Sequence, residues 1–493
     1  MNCCDCSHGS RALVSVPYSG QSSLAGVRWI INPLYQCTNV AISLRDLTRE
    51  WGSYEDVALY LNRCQVDTPD RVVTAVWTLI HERRERIEKV IDFGAGDGRF
   101  SQAGRYRRYL GYEIDSGRSD VCALAANAAL VHRCAFSTRI ADADVCIGNP
   151  PYVRNQDLPD GWRASAAKVI RRRTGVEVSG LANAWQYFTL LALASTKATG
   201  LVALVIPYEW VSRPSAKALR DYIADNGWDV AAYRLRDETF HRVLTTSSIA
   251  IIDKRGTGGK WQYFEETVDG DYRPLASPTG NREGVLQYSR RKSGREVFAK
   301  RGLSPGTQEV LTLTEEERMR SGLKIGVDVV PCITSLRNVH PTCATLTDEV
   351  FRRNFREAGM KCWLLRTDRE PSERLRAYLR SIPASKRQTR TCTERAQWWR
   401  FTMPVPASVI VASGFRHVRP KAVRNVVSAV AVGSVSGIYG LSDRDSRQIV
   451  RAIRSADLGA GIVTHSNGLR KLEIGQLETF LARALPKHSP MLD

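Results

Sequence analysis

The run Asp144-Val145-Cys146-Ile147-Gly148-Asn149-Pro150-Pro151-Tyr152 leads from a short apolar stretch into an amide, two prolines and an aromatic ring. Proline fixes φ and removes a backbone donor, so Pro150 and Pro151 leave carbonyl oxygens as the main polar groups of the turn. An environment of that kind suits a planar exocyclic amine, whose lone pair is delocalised into its ring. The side-chain oxygen of Asn149 and the carbonyl of Pro150 can each accept one amine hydrogen. Their joint pull draws the nitrogen towards tetrahedral geometry and frees the lone pair. With a methyl group already activated on a sulfonium, catalysis reduces to orientation and preorganised dipoles. Tyr152 is placed to stack on the base that carries the amine, once that base has left the duplex.

Upstream, Val90-Ile91-Asp92-Phe93 runs into Gly94-Ala95-Gly96-Asp97-Gly98. Gly94 and Gly96 allow a ligand close to the backbone, and Asp92 ends the preceding strand. Glu113 follows about 20 residues later at the end of a second strand, where an acid can accept both ribose hydroxyls. Ile114 follows it directly.

These motifs need elements to carry them. Val72 to Ile87 reads as a helix after the breaker Thr68-Pro69. Strands are expected at 90–93, 109–114, 145–147, 201–206 and 248–253, and helices at 121–130, 182–196 and 215–226. The alternation predicts an α/β fold with an open, mostly parallel Rossmann-like sheet and helices on both faces. Residues 1–62 read as an N-terminal extension, 63–255 as the catalytic half, 256–282 as a Gly/Pro-rich linker and 283–493 as a basic half of mixed strands and helices. In that half, helices are expected at 373–379 and 446–453, and a strand at 409–412.

The chain has 493 residues, 71 Lys+Arg against 51 Asp+Glu, and a formal net charge of +20. That excess favours a polyanionic partner, and nucleic acid is the commonest. Basic residues gather at Arg154, at Arg171-Arg172-Arg173, at Arg290-Arg291-Lys292 and around Lys386-Arg387. Each is suited to phosphate contact, which orients a duplex without reading it. Ser335, Arg337 and Asn338, and His465, Ser466 and Asn467, are candidates for base readout. The polar, Cys-rich start at Met1 to Gly9 does not read as a signal peptide and no apolar run is long enough to span a bilayer, so the cytoplasm is the expected location. Cys3, Cys4 and Cys6 lack a fourth ligand at the usual spacing, and no metal site is expected.

From roughly Gln65 to Lys254 the sequence resembles the class I, S-adenosylmethionine-dependent amino methyltransferases. Among them it looks like the Taq-like gamma group of adenine-specific DNA methyltransferases of restriction–modification systems. The resemblance rests on Asn149 to Tyr152, on Asp92 to Gly98, and on Asp67-Thr68-Pro69, which is similar to the family's opening motif against the methionine end of the cofactor. It implies a methyl transfer from S-adenosylmethionine to the N6 amine of a flipped adenine in double-stranded DNA. It also implies that the second half is a target-recognition domain, and admits a separate restriction endonuclease as partner. Phe240 stands where the family has an aromatic facing the loop tyrosine. The family's Asp-Phe after the third strand is Ala135-Phe136 here; Phe136 keeps a ring for the cofactor's adenine, and Ser137 or Asp142 is left to replace the acid.

The same acceptors would serve other planar amines: N4 of cytosine, a guanine amine in RNA or a protein glutamine. Cytosine enzymes more often resemble a Ser-Pro-Pro-Tyr loop, and glutamine-modifying relatives lack a large basic second half. A catalytically silent DNA-binding subunit of the same fold is favoured only by Ala135.

Overall fold

The computed structural model describes residues 66–119, 124–240, 245–280, 296–466 and 468–485. Residues 1–62 with Cys3, Cys4 and Cys6, the cluster Arg290-Arg291-Lys292, and Asn467 lie outside the described residues. The chain forms two compact units, Met1–Leu275 and Ala276–Asp493.

Among the described residues the first element of this unit is helix α1 (Asp70–His81), which buries Val72, Val73, Val76, Trp77 and Ile80 on one face. It stops short of the expected Ile87. Arg84 turns away from the helix to donate to Asp253 and to the carbonyls of Thr199 and Gly200, so residues beyond His81 serve the sheet rather than another helical turn.

Strands β1 (Lys89–Phe93), β2 (Arg108–Glu113), β3 (Ala128–His132) and β4 (Ala143–Gly148) come next. Helices α2 (Asp160–Thr174) and α3 (Ala184–Ser195) lead to β5 (Thr196–Pro207), α4 (Lys217–Asp225), β6 (Asp229–Arg234) and β7 (Ser247–Asp253). Two more strands, β8 (Trp261–Glu266) and β9 (Tyr272–Leu275), complete a nine-stranded sheet in the order β3-β2-β1-β4-β5-β7-β6-β8-β9. Neighbours from β3 to β5 are parallel, whereas β7 runs antiparallel to both β5 and β6. That order, with its reversed β7, forms the open, mostly parallel Rossmann-like sheet that the sequence predicts.

The structure departs from the sequence reading elsewhere in this unit as well. Residues 128–132 form strand β3 paired along β2, not the second half of a helix. Strand β6 was not anticipated. The expected linker 256–282 instead carries β8 and β9, with β8 parallel to β6 and β9 antiparallel to β8.

The order places β1 beside β4, where the direction of strand succession reverses. Ligands of open α/β sheets bind outside the carboxyl ends of the strands at such a point. Asp92 pairs with Ile147 across the two strands, so the Gly-rich turn after β1 and the Asn-Pro-Pro-Tyr turn after β4 leave the sheet side by side. Beneath them Val90, Val145, Ile147, Ala203, Val205, Ile249 and Ile251 form one buried cluster with the apolar face of α1.

The second unit has a five-stranded sheet that includes Phe298–Arg301, Val435–Tyr439, Val409–Ala412 and Ala422–Asn425, and a four-stranded sheet around Val329–Ile333 and Trp363–Leu365. Its helices include Glu373–Ser381 and Asp443–Ser455, close to the expected positions. No helix among the described residues is long and apolar enough to cross a membrane, and none of their His, Cys, Asp and Glu side chains form a group able to hold a metal ion.

Candidate active site

Asn149 begins the loop that leaves β4. Its amide nitrogen donates to Thr68 Oγ1 at 3.1 Å and approaches the Val66 carbonyl at 3.4 Å. This fixes which end of the amide faces outwards. Among the described residues no hydrogen bond is made to Asn149 Oδ1 or to the Pro150 carbonyl. Thr68, 3% exposed, therefore holds the amide at the head of the Asn149–Tyr152 loop, a role that its Thr-Pro context did not show.

The rest of the loop is held by its neighbours. Tyr152 donates its hydroxyl to the Val205 carbonyl of β5 at 3.0 Å, and burial pushes its phenol well above the ordinary value. Ala184 N donates to the Val153 carbonyl, and Asn155 N to Asn183 Oδ1 at 3.0 Å. The start of α3 thus anchors the loop's far side. A Cβ placed on Gly94 would lie 3.5 Å from Pro151 Cδ, so the Gly-rich turn and the catalytic turn touch.

Gly94, Gly96 and Gly98 all have positive φ, at 85°, 58° and 74°, a region in which only glycine is at ease. Glu113 collects the turn from below: its carboxylate accepts from the amides of Gly96, Ile114 and Asp115 at 2.8–2.9 Å. Arg99 clamps Asp97 and donates to the Thr68 carbonyl, while Arg118 pairs with Asp67 beside Gly96. Burial opposes ionisation of Asp97, but the bonds from Arg99 outweigh it and hold the carboxyl below its usual range.

Asp92 is fully buried. Its Oδ2 accepts from the Tyr109 hydroxyl at 2.6 Å, and its Oδ1 has no partner among the described residues. Burial raises its pKa to about 7; the Tyr109 bond opposes the rise and the nearby charges of Glu113 and Asp97 add to it. An unpartnered buried carboxylate oxygen is costly and calls for a cationic donor. With an exposed apolar Ile114 (60%) next to an acid at the end of β2, the donor set fits a ligand that joins an ammonium group to a nucleoside.

Several expected roles need correction. Phe136 is 5% exposed and packs edge-on against Trp162 and Phe188, so it presents no face to a cofactor ring. Asp142 pairs with Lys89 at the opposite, amino end of the sheet, and Ser137 Oγ is turned to the Cys134 carbonyl, which leaves Asp142 out as a replacement for the missing acid. Phe240 is 6% exposed within the cluster that contains Val72 and Leu235, so its ring packs as core. Arg171, Arg172 and Arg173 form the last turn of α2, capped by Gly175, rather than a loop. Arg173 is spent inside the fold, on the carbonyls of Thr138, Ile140 and Ala194. Arg171 pairs with Glu177 at 2.9 Å and Arg154 with Asp157 at 2.8 Å. Arg172 stays exposed.

The fold and the two adjoining turns bring an acid, a glycine turn and an amide together at the carboxyl ends of β1 and β4 of an open α/β sheet. Residues 129–230, which include the catalytic loop, match the family model described as Eco57I restriction-modification methylase. The chain is similar to the Type II methyltransferase M.XamI of Xanthomonas campestris pv. amaranthicola, at 27% identity over 207 residues, 38% of this chain and 38% of that protein. The chain thus spans under half the length of this curated relative. Among solved structures it is similar to the methyltransferase subunit of a type I restriction-modification system from Streptococcus thermophilus (16% identity, 41% of this chain and 47% of that one, TM-score 0.35). It is also similar to the Type ISP restriction-modification enzyme LlaGI, whose structure is of a nuclease-deletion mutant with a DNA substrate mimic (12% identity, 90% of this chain and 58% of that one, TM-score 0.44).

Proposed function

We propose that this protein is a restriction-modification DNA methyltransferase that moves a methyl group from S-adenosylmethionine to the N6 amine of an adenine flipped out of the duplex. The observation that carries the reading is the orientation of Asn149: its NH2 end is engaged by Thr68, which leaves Oδ1 and the Pro150 carbonyl as paired acceptors. S-adenosylmethionine supplies an electrophilic methyl on a sulfonium sulfur. Asp92 Oδ1 would hold the ammonium group, the acceptor site left on Glu113 Oε2 a ribose hydroxyl, and Ile114 one face of the adenine ring. Asn149 and Pro150 take the two amine hydrogens of the substrate base as its nitrogen attacks, and Tyr152 stacks on the base. As the N–C bond forms the sulfonium S–C bond would break, S-adenosylhomocysteine would leave as a neutral thioether, and the methylated amine would then release one proton to solvent.

The basic second unit serves as the target-recognition domain in this reading, and Arg172 and Arg154 line the phosphate path near the catalytic loop. A sequence preference, and a separate restriction endonuclease that the methylation would guard against, go with the same proposal. The test is transfer of labelled methyl from S-adenosylmethionine to duplex DNA, to RNA and to protein in parallel. Incorporation into duplex DNA alone is expected. Label in RNA or protein instead would redirect the proposal to another planar amine, and cofactor binding without transfer to any of them would make the chain a silent subunit.

A further inference from the structure

Asp92 is held from behind by a residue outside both motifs. Tyr109 lies on β2 two positions before Gly111, which pairs with Asp92 on β1. Residues two apart share one face of a strand. Gly111 has no side chain, and a Cβ there would meet Tyr109 Cε1 at 3.4 Å. Leu130 Cδ1 and Ala95 Cβ come closer still, at 2.7 and 2.8 Å, so a glycine is needed at this crowded point of β2, and the tyrosine beside it places its hydroxyl 2.6 Å from Asp92 Oδ2. The other oxygen is turned towards β4: a Cβ on Gly148 would stand 2.2 Å from Asp92 Oδ1. Gly148 is the residue immediately before Asn149.

We propose that Tyr109 is a positioning residue for cofactor capture, holding Asp92 so that its unpartnered oxygen faces the root of the catalytic loop and receives the ligand's ammonium. This rests on the reading of the site given above. Tyr109 is 2% exposed and acts only through Asp92. Its hydroxyl also keeps the carboxyl in play near neutral pH. Burial, Glu113 on β2 and Asp97 in the Gly-rich turn all favour the neutral acid, and the Tyr109 bond is the one group that opposes them. Cys146, the titratable neighbour on β4, is held neutral by burial and by Asp92 itself. Capture of a cation by Asp92 then expels a proton whenever the free protein carries one there.

The test is calorimetric titration of the full chain with S-adenosylhomocysteine between pH 5.5 and 8.5, for wild type, Tyr109→Phe and Asp92→Asn. 5′-Methylthioadenosine, which lacks the amino-acid portion, serves as control ligand. For wild type the affinity for S-adenosylhomocysteine rises with pH up to about 7, as Asp92 ionises, while that for 5′-methylthioadenosine stays flat. A hydrogen bond to a charged group is worth about one pH unit or more. Tyr109→Phe is therefore expected to bind about tenfold more weakly at pH 6, with the gap closing above about pH 8. The ratio of the two affinities cancels the titration of the ligand's own amine. Asp92→Asn is expected to bind weakly without pH dependence. A Tyr109→Phe deficit that is constant across pH, or no deficit, overturns the proposal, because a merely structural tyrosine gives one or the other. Failure of the wild type to bind either nucleoside overturns the reading of the site and this inference with it.

Discussion

Replacing Thr68 by valine removes one acceptor and little volume. Asn149 Nδ2 would lose its 3.1 Å partner and keep only the 3.4 Å approach to the Val66 carbonyl. A neutral hydrogen bond contributes about 1 kcal/mol, and a polar hydrogen left without a partner at a half-buried site costs about 1–2 kcal/mol. The amide then turns over more readily and presents NH2 where the substrate amine needs an acceptor. A penalty of about 1–2 kcal/mol corresponds to a rate about 5- to 30-fold lower. The assay is single-turnover methyl transfer to duplex DNA at saturating cofactor, with cofactor affinity measured in parallel. Thr68→Val should slow transfer and change cofactor affinity less than about twofold, because it acts on the amide orientation in the reacting complex. Thr68→Ser, which keeps the hydroxyl, should restore most of the rate. A Thr68→Val enzyme at wild-type rate would refute the reasoning. So would a Thr68→Ser enzyme as slow as Thr68→Val, since then the methyl group rather than the hydroxyl matters.

Other outcomes follow from the same geometry. The Asp92 carboxyl titrates near 7 in the fold against 3.8 in a free chain; its contribution is full below pH 4 and is lost as pH rises through 7. Asp92→Asn should therefore be more stable than wild type at pH 8, by about 2–4 kcal/mol in urea unfolding without ligand, and equal to it near pH 4. Gly148→Ala would drive a Cβ to 2.2 Å from Asp92 Oδ1 at a φ of 139°, and soluble folded protein should fall sharply, as judged by yield and melting temperature. Arg173→Ala should cost about 2–3 kcal/mol in the same unfolding assay, because three main-chain carbonyls lose a charged donor, and leave the salt dependence of DNA binding unchanged. Arg172→Ala should do the reverse, lowering the salt slope by about one with stability intact. In the second unit, Glu315 accepts from Arg318, Arg356 and Trp363, and the Arg318 bond leads in holding its carboxyl at about 2. Its stabilisation is present above pH 4.5 and lost as pH falls through 2, so Glu315→Gln should lower the melting temperature at pH 7 and match wild type near pH 2.

The motifs were legible where a residue type leaves few alternatives. A glycine turn after Val90-Ile91-Asp92-Phe93 and a double proline after Val145-Cys146-Ile147 each mark the carboxyl end of a buried strand, and β1 and β4 lie where those signals put them. Short Ala-rich strands were not legible. Ala128-Ala129-Leu130-Val131 in β3 and Val230-Ala231-Ala232 in β6 carry helix-favouring residues, and only pairing with neighbouring strands makes them extended. The strands β8 and β9 lie among Gly, Pro and Asp residues that suggest a linker, yet β8 pairs along β6.

Roles that depend on where a side chain ends were the least accessible. Phe136 and Phe240 stand at suitable sequence positions, but their rings are packed among other apolar groups. Arg171 to Arg173 read as a phosphate-binding run, whereas the end of a helix favours cations for its own reasons, and Arg173 also closes three carbonyls. Tyr109 gave no signal at all, because its partner Asp92 is on another strand and only the pairing of β1 with β2 brings the two together.

The central claim is that two carbonyl-type acceptors at the mouth of β4 grip an adenine amine. Mass spectrometry of nucleosides from duplex DNA treated with the protein and S-adenosylmethionine tests it most directly, with Asn149→Ala alongside. The account predicts N6-methyladenine with the wild-type chain and at least about 100-fold less with Asn149→Ala, while both proteins bind cofactor alike. N4-methylcytosine in place of N6-methyladenine, or undiminished methylation by Asn149→Ala, would contradict it.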